Sequence, residues 1–134
     1  MRGFPMMLTV LVLAGCATAP RPETPGPDRR LVAKAVSMAA AQIQRCYRTP
    51  RIPREGRQIT IVLKVSYSID GMLTGLPELI AQRGVTPENQ LYATRMREAA
   101  TLAVIRCVPL SLPPELHQGG WDMFELTFSP RAVA

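Results

Sequence analysis

The 134-residue chain is long enough for one domain with a modest hydrophobic core, but too short for two. Its formal net charge of +6 comes almost entirely from arginine, and only 5% of its residues are aromatic. A nucleic-acid interface would need aromatic side chains among the basic ones, so we expect no nucleic-acid partner. The charge instead suits anionic lipid, a cell-wall polymer or an acidic protein surface.

The chain begins with the features of an export signal. Residues 4–15 form an apolar run after Arg2, too short for the roughly 20 residues of a membrane-spanning helix. The run ends in Leu13-Ala14-Gly15-Cys16, which resembles the lipobox of bacterial lipoproteins. The resemblance implies that residues 1–15 are removed as a signal peptide and that Cys16 carries lipid. The alternative is an ordinary secretory signal with an incidental cysteine.

A lipid on Cys16 would anchor the protein in a membrane and leave it facing the periplasm. Ala17 stands where inner-membrane lipoproteins of enteric bacteria carry Asp, so the outer membrane is expected. A tether is predicted over residues 16–28, since residues 17–28 contain four prolines and one glycine and would reach roughly 35 Å. The folded domain is predicted over residues 29–131.

The first helix and the first strand have the clearest periodicity. A helix is predicted from an N-cap at Asp28 to Arg48, because apolar residues recur at helical spacing until Thr49 precedes Pro50. Strict alternation of apolar and polar residues predicts a strand over residues 59–69 with one buried face.

Turn residues divide the rest of the chain. Asp70-Gly71 predicts a two-residue hairpin turn into a second strand over residues 72–80, which Gly75 and Pro77 make irregular or place at an edge.

Thr86-Pro87 predicts the start of a second helix that runs to about Cys107. Residues 112–120 are predicted to form a loop, and residues 121–128 a last strand. Its inward residues would be Phe124, Leu126 and Phe128. Trp121 would be either a core flank or an exposed anchor, and the core flank is the preferred alternative.

The order helix, strand, strand, helix, strand predicts an α+β fold, a three-stranded antiparallel sheet with two helices on one face. The longest strand has the most apolar surface to bury and is expected at the centre, giving the order two, one, three. Cys46 and Cys107 fall at the two predicted helix ends, and in an oxidising periplasm this pair predicts one disulfide. A zinc site formed by these cysteines and His117 would lack a fourth ligand.

Over about residues 31–131 the chain resembles the C-terminal domain of the TolA/TonB energy-transducer family, and TolA more closely. The similarity rests on the segments that close the helices and strands: Arg45-Cys46-Tyr47, Ser68-Ile69-Asp70-Gly71, Ile105-Arg106-Cys107-Val108-Pro109, Leu112-Pro113-Pro114 and Phe124-Glu125-Leu126-Thr127-Phe128-Ser129-Pro130.

The resemblance implies a binding module for envelope proteins, with TolB-like and Pal-like proteins as candidate partners and no cofactor. The membrane helix and long helical spacer of TolA have no counterpart here, and a lipobox and a short tether stand in their place. Binding is therefore expected to carry over to this chain, whereas energy transduction is not.

The last strand is the candidate binding site. An edge strand over residues 121–128 would leave every backbone donor available, because this segment contains no proline and the next one in the chain is Pro130. Members of the family accept extended segments at a sheet edge, so we expect partners to add a strand here. The candidate binding residues are Trp121, Met123, Glu125 and Thr127, with Met123 and Thr127 as outward selectors.

A second candidate is a basic connector. Arg48, Arg51, Arg54 and Arg57 recur every third residue among prolines, and a polyproline II segment, with three residues per turn, would align them along one edge. This basic ridge would meet anionic headgroups, wall polymer or an acidic partner. A solvated loop is the alternative.

No residues combine into a catalytic site. His117 is the only histidine and has no paired nucleophile, and Ser111 and Ser129 lie in no nucleophile elbow. We therefore predict no enzyme, no metal site and no small-molecule substrate. The expected function is that of an envelope lipoprotein that binds periplasmic or outer-membrane proteins. The alternative is a structural envelope lipoprotein that contacts cell wall or anionic lipid through its arginines.

Overall fold

The computed structural model describes Gly15, Cys16 and residues 28–134, so most of the predicted signal and tether lies outside the described residues. No helix among the described residues is long and apolar enough to cross a membrane. The described elements, in chain order, are α1 (Arg29–Cys46), a 3-10 turn (Arg54–Gly56), β1 (Thr60–Ser66), β2 (Glu78–Arg83), α2 (Gln90–Arg106), α3 (Pro114–Gln118) and β3 (Met123–Phe128).

Strand β1 lies at the centre of a three-stranded antiparallel sheet of order β2-β1-β3. Its alternating residues Ile61, Leu63 and Val65 are buried on one face. They form a single core with buried residues of α1 and α2, so both long helices cover the same face of the sheet. The predicted fold class and the predicted strand order are confirmed.

The turn after β1 differs from the predicted two-residue hairpin. The amide of Gly71 donates to the Ser68 carbonyl at 2.9 Å, and the amide of Ser68 donates to the Met72 carbonyl at 2.8 Å. The loop therefore has three residues and ends in Gly71 at φ 78°. Ile69, predicted on the buried face of the strand, lies in this loop and is 73% exposed. A Cβ at Gly71 would also overlap the Leu110 backbone, so glycine is required there for two reasons.

The second strand lies later in the chain than predicted. Residues 72–77 contribute only an isolated bridge between Leu73 and Tyr67, and regular pairing begins at Glu78. Gly75 and Pro77 interrupt the ladder, because glycine weakens a strand and proline lacks an amide donor.

Helix α2 also begins later than the Thr86-Pro87 signal predicts. Helix α2 begins at Gln90, and residues 87–89 form a turn. Asn89 is fully buried and ties this turn to its surroundings: its Oδ1 accepts from the Thr86 amide at 2.7 Å, and its Nδ2 donates to the carbonyls of Glu55 and Gly84 at 2.9 Å each. Thr86 therefore belongs to the turn rather than capping the helix.

The predicted loop over residues 112–120 contains the short helix α3. Pro114 occupies its first turn, where a missing amide costs no hydrogen bond, and Leu116 is buried beneath it. Trp121 follows this helix and is 39% exposed. Of the two alternatives for Trp121, this exposure favours the exposed anchor over the core flank, and the residue precedes β3, which begins at Met123.

The predicted disulfide is confirmed. Cys46 is the last residue of α1 and Cys107 caps α2, with 5.7 Å between their Cα atoms. The bond joins the carboxyl ends of the two helices that cover the sheet. Because 61 residues separate the cysteines, closing this loop restricts the unfolded chain by about 4 kcal/mol.

We predict that the double variant Cys46→Ser/Cys107→Ser unfolds with a free energy lower than that of the oxidised protein by roughly 4 kcal/mol. Denaturant unfolding of the full chain measures the difference, and Cys16→Ser serves as the control that removes a cysteine without breaking the bridge. Equal unfolding free energies for the double variant and the oxidised protein would contradict the prediction.

Candidate functional site

The candidate binding residues of β3 lie on the sheet face that the helices leave open. Met123, Glu125 and Thr127 stand opposite Ser66, Lys64 and Val62 of β1 in the antiparallel register. The side chains of Met123 and Glu125 are exposed, and that of Thr127 is half-buried. The three side chains therefore line the open face along one border of the sheet.

The backbone groups of the same residues point away from β1. Thr127 exchanges two hydrogen bonds with Ala134: its amide donates to the Ala134 carbonyl at 2.7 Å, and its carbonyl accepts from the Ala134 amide at 2.8 Å. On the side that faces β1, the Asp122 carbonyl accepts from the amide of Tyr67, the residue after β1, at 2.9 Å. Because backbone direction alternates along a strand, Met123 and Glu125 point their N–H and C=O groups outward like Thr127. These groups have no backbone partner at that edge among the described residues.

The chain covers the end of this edge with its own residues 132–134. Val133 bridges Phe128, and the Ser129 amide donates to the Ala132 carbonyl at 2.9 Å across a turn at Pro130 and Arg131. The prediction that every donor of the edge is available is therefore wrong at Thr127. The turn reverses the chain and returns it alongside β3.

The carboxyl end of α1 and its cap residue Tyr47 hold the two sides of this turn in place. The Tyr47 hydroxyl donates to the Ser129 carbonyl at 2.8 Å, and the Gln44 side chain accepts from the Val133 amide at 2.8 Å. The Tyr47 ring also meets the Phe128 ring edge to face at 5.5 Å. Burial raises the pKa of Tyr47 to about 12, so the phenol keeps the proton that it donates.

Strand β2 forms the opposite border of the sheet and pairs only with β1. Its flank is apolar: Leu76 and Ile80 are exposed, and a hollow of about 390 Å³ between β2 and α2 is lined by Leu63, Leu79 and Leu102 among others. The sequence did not predict this apolar border, because Gly75 and Pro77 interrupt the strand pattern in the segment before β2.

The basic ridge is divided by the fold. Residues 47–53 form no regular helix or strand, and Pro53 is extended, but Arg54–Gly56 forms a 3-10 turn. The polyproline II geometry predicted through Arg57 is therefore wrong beyond Pro53. All four arginines are exposed. Arg51 and Arg57 line one hollow together with Arg131, whereas Arg48 and Arg54 do not. Sequence reasoning missed Arg131, which lies far along the chain from the connector.

The remaining polar candidates do not converge. His117 lies in α3 rather than in a loop, and its Nε2 is buried without a hydrogen-bond partner. The Tyr67 hydroxyl is likewise buried without a partner, and burial raises its pKa. Over the described part of the chain, no group of three or more His, Cys, Asp or Glu residues is placed to hold a metal ion.

These features define a small α+β domain with a disulfide between its helix ends and a strand edge that the chain itself partly covers. Comparison with protein families gives a match over residues 30–131 to the family described as Uncharacterised conserved protein UCP034077, and the chain belongs to this family. Comparisons with curated proteins and with solved structures give no match.

The Tyr47 contact generates a stability prediction. At pH 8, Tyr47→Phe should lower the free energy of unfolding by about 1 kcal/mol, because the hydrogen bond to the Ser129 carbonyl is lost. Urea unfolding measures the loss. Tyr92→Phe is the matched control and should change little, since the Tyr92 hydroxyl has no hydrogen-bond partner among the described residues.

The same contact sets a pH dependence. The folded-state pKa of Tyr47 is about 12 and its ordinary value is 10.0, so its contribution to stability is complete below pH 10 and is lost as pH rises toward 12. Between these limits wild type should lose stability more steeply than Tyr47→Phe. Both proteins should carry Cys16→Ser, so that this free thiol cannot attack the disulfide. Parallel pH profiles would contradict the assignment.

Proposed function

We propose that this domain binds extended segments of cell-envelope proteins by adding a strand to the outer edge of β3. The observation that carries the proposal is the pair of outward backbone positions, Met123 and Glu125, in the same row as Thr127. Thr127 already pairs with a segment of the chain itself, which supports the capacity of this edge to take a strand. In such binding the backbone hydrogen bonds provide affinity, and every second side chain contributes to specificity for the partner.

The returning segment limits how a partner binds. A partner strand either pairs with Met123 and Glu125 alone, or displaces residues 132–134 and extends to Thr127. Trp121 lies just before the open positions and is 39% exposed, so its ring is available to anchor the partner's end. Partly exposed tryptophan is a common source of binding energy in protein interfaces.

The proposed cellular role follows the resemblance to the C-terminal domain of TolA. The helix and strand order and the Cys46–Cys107 bridge support it. With a lipid anchor on Cys16, the protein would face the periplasm and would bind TolB-like or Pal-like proteins. Ala17 favours the outer membrane over the inner one as the site of the anchor. Its task would be envelope integrity or transport, and it would perform no catalysis.

A second candidate role is structural. An envelope lipoprotein without a specific protein partner would contact cell wall or anionic lipid through its arginines. The hollow shared by Arg51, Arg57 and Arg131 is the observation that favours this role.

Proline substitution tests the proposed edge. With a photo-crosslinking residue at Glu125 of the full chain in intact envelopes, we expect a crosslinked envelope protein. Met123→Pro removes one outward donor and should lower the crosslinked yield about tenfold or more. Met123→Ala removes the side chain but keeps the donor, and it should retain most of the yield. Thr127 is unsuited to this test, because its amide already donates to Ala134.

A matching proline substitution in β2, at the opposite edge of the sheet, tests whether the partner binds at β3 or at β2. Gln82 stands opposite Ile61, whose backbone faces β3, so the Gln82 amide points away from the sheet as that of Met123 does. Gln82→Pro should leave the crosslink intact. Loss with Gln82→Pro but not with Met123→Pro would move the site to β2, and absence of any crosslinked protein would refute strand addition at β3.

Lipid attachment is tested independently. Cys16 is exposed and unbridged, and metabolic labelling with palmitate should mark wild type but not Cys16→Ser. The Cys46→Ser/Cys107→Ser variant is the control and should keep the label. Persistent label on Cys16→Ser would remove the lipoprotein assignment.

A further inference from the structure

Three arginines from separate parts of the chain meet at one hollow. Arg51 comes from the connector after α1, Arg57 from the end of the 3-10 turn, and Arg131 from the turn that follows β3. The hollow has a volume of about 520 Å³, and its other walls are Thr49, Pro50, Ile52, Pro53 and Pro130. A smaller hollow of about 310 Å³ adjoins it, because it shares Arg57, Pro130 and Arg131 and adds Ser129.

The backbone under each arginine is restrained. Arg51 lies between Pro50 and Pro53, whose rings fix their own φ angles. The Arg57 amide donates to the Arg54 carbonyl at 3.3 Å. The Arg131 carbonyl accepts from the Gln44 side chain at 3.4 Å, inside the turn that Tyr47 also holds. Little backbone ordering therefore remains when a ligand binds, and such preorganisation favours affinity.

The three guanidinium groups are not neutralised within the described residues. No carboxylate is among the residues that line the hollow, and the described part of the chain contains one ion pair, Lys64 to Glu78 at 3.1 Å, on the sheet. Three like charges around one hollow repel one another, and an anion placed between them removes that repulsion.

We propose that this hollow is a binding site for a phosphate group. Each guanidinium presents a planar fork of N–H donors that matches two oxygens of an anion. One or two arginines satisfy a carboxylate, which has only two oxygens, whereas the several oxygens of a phosphate can accept from three arginines at once. The prolines and Ile52 supply an apolar wall for the body that carries the phosphate. That body is either a lipid headgroup or a soluble or polymer-borne phosphate.

This site is distinct from the proposed strand edge, and it includes only part of the predicted basic ridge. Arg51 and Arg57 belong to it, Arg131 joins them, and Arg48 and Arg54 lie outside it. The two excluded arginines therefore provide matched controls: they occur in the same connector, are exposed, and carry the same charge.

Calorimetric titration of the full chain in neutral detergent with inorganic phosphate, at an ionic strength of about 0.15 M where the Debye length is about 8 Å, tests the proposal. We expect saturable binding that is tighter than the binding of acetate. Arg51→Gln, Arg57→Gln and Arg131→Gln should each weaken phosphate binding about tenfold or more. Arg48→Gln and Arg54→Gln should change it no more than about twofold, since exposed charges outside the hollow act only through a screened field.

Vesicle sedimentation identifies the source of the phosphate. If the protein binds phosphatidic acid vesicles but not phosphatidylcholine vesicles, and the three hollow variants lose this binding, the source is a lipid headgroup. If inorganic phosphate binds but these vesicles do not, the source is a soluble or polymer-borne phosphate, and the site stands. Absence of phosphate binding, equal affinity for acetate, or equal losses in hollow and control variants would overturn the proposal.

Discussion

The structure depends on the burial of one face of the central strand β1. Ile61, Leu63 and Val65 each gain about 1.5–3 kcal/mol from leaving water, and only helices packed on the same side can cover them all. The backbone of β1 meanwhile needs a hydrogen-bonding neighbour on each side, which β2 and β3 supply. The fold is thus a sheet with one covered face, one open face and two borders.

Each edge strand of this small sheet has backbone groups that do not pair with β1, and the two edges differ in what covers them. The β3 border is partly closed by the chain's own residues 132–134. Gln44 of α1 binds Val133 in this segment, and Tyr47, which caps α1, binds Ser129 before the turn. The β2 border instead adjoins exposed apolar side chains. The same returning turn that closes part of β3 also carries Arg131 to the connector arginines. One reversal of the chain therefore shapes both candidate sites.

The sequence predicted what depends on local periodicity. The alternation of apolar and polar residues predicted β1, and the apolar stripe predicted α1. The positions of Cys46 and Cys107 at the predicted helix ends predicted the disulfide. Interactions between distant segments were not predictable in this way. Asn89 is held by hydrogen bonds to the Glu55 and Gly84 carbonyls, which no local sequence pattern predicts. Helix α2 therefore begins later than the helix start predicted from Thr86-Pro87. The pairing of residues 132–134 with β3, and the meeting of Arg131 with Arg51, likewise have no periodic signal.

Amide hydrogen exchange along β3 tests the central claim most directly, that this edge is open at two positions and closed at one. In the full chain the Thr127 amide should exchange slowly, because it donates to Ala134, whereas the Met123 and Glu125 amides should exchange rapidly. Deleting residues 132–134 should bring Thr127 to the rate of Glu125. If Met123 and Glu125 are as protected as Thr127 in the full chain, the edge is not open and the account is contradicted.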